Sequence, residues 1–154
     1  MIRPARAQDG FTLLETVCVV AIVAMLAAIL LPILPRETSR PRLEAYAVET
    51  ASLLNADRTA AIRRRVAVAT FVDANTRSIR SGSSARIVQI PSDVAIDALL
   101  PQNCNDAPAF HTISFFATGM SCGGTIALSR PGAAYEIRVN WLTGGVEIVP
   151  RRVL

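Results

Sequence analysis

The sequence predicts an α+β protein in which a long N-terminal helix, membrane-spanning in its first half, packs against a small antiparallel β-sheet domain. Three observations support this fold class: an unbroken apolar run, then a stretch without Gly or Pro, then short β-type runs separated by turn residues. The chain has 154 residues, 51% hydrophobic and 18% charged, a composition that excludes a disordered chain. We expect one modest domain besides the apolar run.

The apolar run extends from Thr16 to Pro35, where no side chain except the Cys18 thiol ionises. About 20 such residues are typical of a membrane-spanning helix. We therefore expect a polar segment at residues 1–10 and a membrane helix at residues 11–35. Pro32 interrupts helical hydrogen bonding and is expected to kink this helix. Cys18 is most simply a small apolar filler.

The next segment, residues 36–65, predicts the second half of the helix because Ala, Leu, Arg and Glu dominate it after Pro41. Its apolar residues lie near one helical stripe, which is expected to pack on the domain: Leu43, Ala47, Ala51, Leu54, Ala61 and Ile62. Arg58 interrupts the stripe as either a buried, paired guanidinium or a side chain that reaches the helix edge. We favour the second because isolated buried charge is costly.

Residues 66–154 predict the antiparallel β domain. Its expected strands include Val66–Val72, Arg86–Ile90, Val94–Leu99, Thr112–Ala117, Thr125–Ser129, Tyr135–Asn140 and Val146–Val149, with a short one at Ile79. The glycines from Gly119 to Gly124 lie between strands, so we interpret them as a hairpin turn rather than a phosphate-binding loop.

The charge distribution gives no broad basic face. Residues 36–65 hold seven Arg and four acids, or +3, and residues 66–154 hold seven Arg and six acids, or +1, which together make the net +4. A nucleic-acid partner is therefore not expected from charge alone.

No catalytic or metal-binding pattern is present in the sequence. His111 is the only histidine, and neither Asp106 nor Ser114 makes a triad with it. P-loop, dinucleotide and EF-hand patterns are missing. We expect no enzyme activity, no cofactor and no metal.

The segment Gly10-Phe11-Thr12-Leu13-Leu14-Glu15, followed by the apolar run, resembles the class III signal of type IV pilins and type II secretion pseudopilins. The resemblance implies that residues 1–10 are a leader, that prepilin peptidase cleaves between Gly10 and Phe11, and that Phe11 is N-methylated. It also implies a cytoplasmic N-terminus, and a proline at the Pro32 position is usual in the family.

Glu15 is an acid near the head of an apolar helix, where a charge costs roughly 2.5–3.5 kcal/mol at mid-bilayer depth and seldom lacks a partner. The resemblance implies that its partner is the N-terminal amine of a neighbouring subunit, so that Glu15 acts in assembly. The alternative is a glutamate at the interface solvated by lipid headgroups.

A second resemblance covers most of the chain. The segments 56–64, 66–73, 113–116, 119–126 and 139–144 look like those of the minor pseudopilin H group of type II secretion. It implies a single-pass inner-membrane protein with a periplasmic domain, which joins the pseudopilus that drives protein export across the outer membrane. The implied partners are other pseudopilins, prepilin peptidase and the inner-membrane assembly platform.

The related FimT-type minor pilins, which bind DNA during natural transformation, are the alternative function. Their C-terminal signature is basic and rich in Gly and Arg, whereas this chain has Gly144-Gly145-Val146-Glu147. On the periplasmic side Cys104 and Cys122 can form a disulfide. Their spacing leaves both the bridge and two free thiols open.

Overall fold

The computed structural model describes residues 12–30 and 38–151. The chain forms two compact units, Met1–Arg36 and Glu37–Leu154. Within the described residues of the second unit, one helix, two four-stranded antiparallel sheets and a two-stranded hairpin make up the domain. This is the predicted α+β fold class.

The first unit contains α1, a continuous helix over Leu13–Leu30. Thr12 precedes it and accepts hydrogen bonds from the backbone N–H of Glu15 at its carbonyl (3.0 Å) and at its hydroxyl (3.3 Å). Within residues 12–30 and 38–151, no helix is both long and apolar enough to cross a membrane. The predicted span, residues 11–35, includes residues 11 and 31–35 outside the described residues, and it stays a prediction.

The second unit begins its regular structure with α2, Arg40–Arg64. Pro41 in the first turn suits the start of a helix, because its missing N–H would have no partner there. Arg63 and Arg64 lie in the last turn, where cations complement the helix dipole. Arg65 takes a left-handed conformation (φ 54°) that ends the helix.

The strands form two antiparallel sheets. Sheet A has the order β3-β2-β1-β7, with β1 Val68–Asp73, β2 Ser78–Arg80, β3 Ile87–Gln89 and β7 Thr112–Phe115. Sheet B has the order β10-β9-β8-β4, with β4 Ala95–Leu99, β8 Gly124–Arg130, β9 Ala133–Val139 and β10 Val146–Arg151. Strands β5 (Asn103–Cys104) and β6 (Ala107–Pro108) form a separate small hairpin.

The core lies where α2 packs on the inner faces of both sheets. Its largest fully buried side chains come from all three layers: Leu43, Leu53, Leu54, Ile79, Ile90, Ile113, Phe115, Ile126, Leu128 and Ile137. Burying each side chain of this size contributes about 1.5–3 kcal/mol. This core fixes which helix residues face each sheet.

The segment that contains Gly119 turns back on itself as predicted: Phe115 and Ser121 form an antiparallel bridge, and the N–H of Phe116 donates to the carbonyl of Met120 (2.9 Å). The strands on either side, β7 and β8, then continue into different sheets. Two details differ from the sequence-based prediction. The β5–β6 hairpin was not predicted. Ile62 is 41% exposed although it follows the buried Ala61, because it lies at the margin of the apolar stripe.

Candidate assembly site

Three of the predicted site residues lie outside the described residues. These are Gly10 and Phe11 at the expected cleavage point and Pro32 at the expected kink. Their roles stay predictions.

Glu15 lies in the first turn of α1, where a negative side chain complements the positive end of the helix dipole. Its side chain is exposed among apolar neighbours such as Val17, Val19 and Val20. Within residues 12–30 and 38–151 its carboxylate has neither a hydrogen bond nor an ion pair. The carboxylate is therefore free to accept a cation from outside this part of the chain.

Asp57 is a second helical acid, and it is completely buried on the inner face of α2. Its carboxylate accepts hydrogen bonds from the hydroxyls of Thr70 (2.6 Å), Ser81 (2.5 Å) and Ser83 (2.6 Å). The backbone N–H groups of Gly82 (3.0 Å) and Ser83 (3.1 Å) donate to it as well. The loop between β2 and β3 thus closes around the carboxylate and ties sheet A to α2.

The hydrogen bonds decide the charge state of Asp57. Burial by itself raises the pKa of a carboxyl, because it disfavours the ionised form. The hydroxyls of Ser81, Ser83 and Thr70 outweigh this effect, so the pKa of Asp57 is lowered from its ordinary value of 3.8. Asp57 is therefore ionised at neutral pH although no cation pairs with it among the described residues.

A second contact between α2 and the β domain lies near the C-terminal end of the helix. The Nε–H of Arg58 donates to the carbonyl of Gly119 (3.1 Å), and its side chain is half-buried. A Cβ at Gly144, where φ is +62°, would lie 2.1 Å from the same Gly119 oxygen. Only glycine fits that approach. Among the described residues Arg58 joins no ion pair, and its hydrogen bond anchors the loop that connects the sheets.

The Cα atoms of Cys104 and Cys122 lie 5.7 Å apart. A bridge between them would join the β5–β6 hairpin to the segment between β7 and β8. His111 is exposed, and no group of metal-ligating side chains occurs within the described ranges 12–30 and 38–151.

Sequence reasoning missed Asp57. The sequence does place Asp57 on the apolar stripe of α2, because it lies three residues after Leu54 and four before Ala61. A charged residue at such a position is buried only when partners surround it. The hydroxyl-rich segment Ser81-Gly82-Ser83-Ser84 supplies them, but nothing local in the sequence indicates that it meets α2.

Comparison with known proteins found a family model that matches the N-terminal segment and solved structures that are similar to the domain. The model of the prokaryotic N-terminal methylation motif matches residues 5–31, which include Gly10, Phe11 and Glu15. No curated protein matches the sequence. The motif implies membrane anchoring of the N-terminus.

Two solved structures resemble the domain. The type IV minor pilin FimU of Pseudomonas aeruginosa is 17% identical, with a TM-score of 0.55 over 73% of this chain and 92% of FimU. The minor pseudopilin EpsH from the type 2 secretion system of Vibrio cholerae is 10% identical, with a TM-score of 0.55 over 75% of this chain and 98% of EpsH. The methylation motif and the pilin-like α+β fold together confirm the resemblance of this chain to the type IV pilin and pseudopilin family.

Proposed function

We propose that this chain is a minor pseudopilin of a type II secretion system. Prepilin peptidase removes residues 1–10 and N-methylates Phe11, and residues 11–35 hold the protein in the inner membrane with its domain in the periplasm. The mature chain then joins the pseudopilus that drives protein export across the outer membrane. Its proposed partners are other pseudopilins, prepilin peptidase and the inner-membrane assembly platform.

The observation that carries this proposal is Glu15. The carboxylate lies in an apolar helix within the methylation motif and has no partner among the described residues. The amine that cleavage would create at Phe11 of a neighbouring subunit has the opposite charge. A pair of this kind would reduce the cost of moving both charges into an apolar filament core.

Processing is tested first, because assembly depends on it. Mass spectrometry of the chain purified from its native envelope should find an N-methylated Phe11 as the first residue. The variant Gly10→Val should retain residues 1–10, whereas Ala85→Val, at an exposed position of the β2–β3 loop, should be cleaved normally. A wild-type chain that keeps its first ten residues would overturn the proposal.

The secretion role is tested separately. Deleting the gene should leave folded exoproteins in the periplasm, and the wild-type gene should restore their release. A FimT-like minor pilin is the second candidate, since the similarity to a type IV minor pilin equals that to a pseudopilin in TM-score. In that case deletion would leave secretion intact and abolish DNA uptake, and the purified chain would retard DNA in a salt-sensitive manner.

We also propose that Cys104 and Cys122 are bridged in the periplasm. The 5.7 Å between their Cα atoms lies within the usual range for a disulfide. Mass spectrometry without reduction should find the two peptides linked, and the same peptides as free thiols would refute the bridge.

A further inference from the structure

Four large apolar side chains are exposed on three segments at one end of the domain. Trp141 and Leu142 lie in the turn between β9 and β10 and are 62% and 55% exposed. Ile62 near the end of α2 and Met120 in the loop after β7 are exposed as well. Apolar side chains that are exposed together, rather than singly, are typical of a surface that another protein covers. Together with Arg58 they form what we call the distal patch.

Hydrogen bonds and close contacts hold the three segments of the distal patch together. The N–H of Ser121 donates to the carbonyl of Trp141 (2.9 Å), which joins the loop after β7 to the β9–β10 turn. A Cβ at Gly119 would lie 3.3 Å from Cδ1 of Ile62 and 3.5 Å from Nη2 of Arg58, so α2 meets the same loop at this glycine. The distal patch is therefore one continuous surface of the domain.

The turn that carries Trp141 and Leu142 is fixed by its own hydrogen bonds. Oδ1 of Asn140 accepts from the N–H groups of Leu142 (2.9 Å) and Thr143 (3.0 Å). The N–H of Asn140 donates to the carbonyl of Gly145 (2.9 Å). A partner that binds these two side chains therefore orders little additional backbone, which favours binding.

Arg58 places a guanidinium beside these apolar side chains. Its Nε–H donates to the carbonyl of Gly119, whereas its two terminal amino groups have neither a hydrogen bond nor an ion pair within residues 12–30 and 38–151. The side chain is half-buried, so a partner that covers the patch removes the guanidinium from water. Such a partner must supply acceptors, and a carboxylate matches the planar guanidinium with two parallel hydrogen bonds.

The charge around the distal patch has one sign. Segments 58–65, 116–123 and 140–145 together contain four Arg and no Asp or Glu. Two of these arginines, Arg58 and Arg64, bind backbone carbonyls, which leaves their charge uncompensated. None of the four forms an ion pair among the described residues. The surface that is complementary to the distal patch is therefore apolar and acidic.

The distal patch lies at the end of the domain opposite to the point where the chain enters it. At the entry point Thr38 donates to the carboxylate of Asp93 and accepts from Arg130 at the end of β8. Arg58 lies about 27 Å along α2 from Arg40, the first residue of the helix. In a filament whose subunits are anchored by their N-terminal segments, we expect this end of the domain to face an adjacent subunit.

We propose that the distal patch docks on another pilin-like subunit, at an apolar surface of that subunit that carries a carboxylate. The carboxylate binds the terminal amino groups of Arg58, and Trp141 and Leu142 contact the apolar part of the surface. The partner has another sequence, because two positively charged distal patches repel each other and a minor subunit has other subunits as neighbours. This inference rests on the proposed function only in taking the partner to be a filament subunit.

Photo-crosslinking of the full-length chain in its native cells tests the contact. The photoreactive residue p-benzoylphenylalanine replaces Trp141, which exchanges one exposed aromatic side chain for another. The matched control has the same replacement at Phe110, which is also 62% exposed but lies at the opposite end of β7. Mass spectrometry should locate the crosslink from position 141 near an Asp or Glu of a different protein that has the N-terminal methylation motif. Position 110 should give at most about a tenth of that yield.

Two substitutions at Leu142 test the charge of the partner and leave Arg58 intact. Leu142→Asp and Leu142→Lys each place a charge in the same exposed turn. The aspartate repels the carboxylate of the partner, so it should lower the crosslink yield from position 141 at least about tenfold, whereas the lysine should lower it less than about threefold.

Arg58→Gln tests the guanidinium itself. It should lower the yield about tenfold, whereas Arg63→Gln, exposed on the same helix, should change it little. Unfolding of the purified Arg58→Gln chain in detergent separates a lost contact from a loosened loop at Gly119. If this variant is unfolded, the two Leu142 variants decide the question.

Each of the other outcomes would overturn the proposal. These are equal yields from positions 141 and 110, a crosslink to a second copy of this chain, a crosslink only to a protein without the methylation motif, and equal losses in Leu142→Asp and Leu142→Lys. Cleavage after Gly10 and release of exoproteins are measured independently. A chain that passes those tests and fails here keeps the proposed function and loses only this contact.

Discussion

The two helical acids of this chain are in opposite situations. Asp57 on α2 is fully buried, and five donors from its own domain surround its carboxylate. Glu15 on α1 is exposed on an apolar helix and has no partner among the described residues. The comparison teaches that a carboxylate satisfied within its own chain stabilises the fold, whereas one left unsatisfied is available to another molecule.

The largest effect on the domain is expected from removing the satisfied acid. Asp57→Ala leaves three hydroxyls and two N–H groups without their acceptor, and should lower the free energy of unfolding by about 3–5 kcal/mol. Denaturant unfolding of the full chain in detergent measures it. Asn55→Ala, exposed on the same helix, should change stability by less than about 0.5 kcal/mol.

An unchanged free energy of unfolding in Asp57→Ala would contradict this prediction. An Asp57→Ala variant as stable as the wild-type protein would mean that the hydrogen bonds around the carboxylate do not hold the β2–β3 loop to α2.

A smaller effect is expected from removing one donor. Thr70→Val keeps the shape of the buried side chain and deletes the hydroxyl that lies 2.6 Å from the Asp57 carboxylate. A hydrogen bond to a charged group contributes about 1.5–3 kcal/mol, so the loss should fall in that range. Thr118→Val, at an exposed turn, serves as the control and should be nearly neutral. Equal effects at the two positions would argue against a special role for Thr70.

The smallest expected effect is on pH dependence. Since the pKa of Asp57 is lowered in the folded state, the unfolded chain binds more protons in acid, and the contribution of Asp57 to stability is present above pH of about 4. It is lost as pH falls through the folded pKa. In Asp57→Asn the stability should depend less steeply on pH below about 4, as measured by unfolding at each pH. A residual slope is expected from Asp73 and Asp93, whose pKa values are also lowered.

Most of the architecture was predictable from local pattern. Period-two alternation marked strands such as β1 and β9, and glycines and prolines marked the turns between them. The motif around Glu15 was predictable for the same reason, since its residues are contiguous. The apolar stripe of α2 identified Leu43, Ala47 and Leu54 as core residues.

The features that were missed depend on contacts between distant parts of the chain. Asp57 and Ser81 are 24 residues apart, and Arg58 and Gly119 are 61 apart. The contact of Arg64 with the carbonyl of Ser83 likewise follows from how the β2–β3 loop folds onto α2. Composition and spacing carry no information about such pairings, which is why the contacts of Asp57 and Arg58 with the sheets were not predicted.

The most direct test of the central claim, that Glu15 finds its partner on another subunit, is the amount of variant chain recovered in assembled pseudopili. Glu15→Gln removes the charge with little change of size, and Glu49→Gln makes the same change on the exposed face of α2. Quantitative mass spectrometry should find Glu15→Gln processed normally but at least about tenfold depleted from filaments, corresponding to roughly 1.4 kcal/mol per joining event. Glu49→Gln should be incorporated like the wild type. Equal incorporation of both variants would contradict the account.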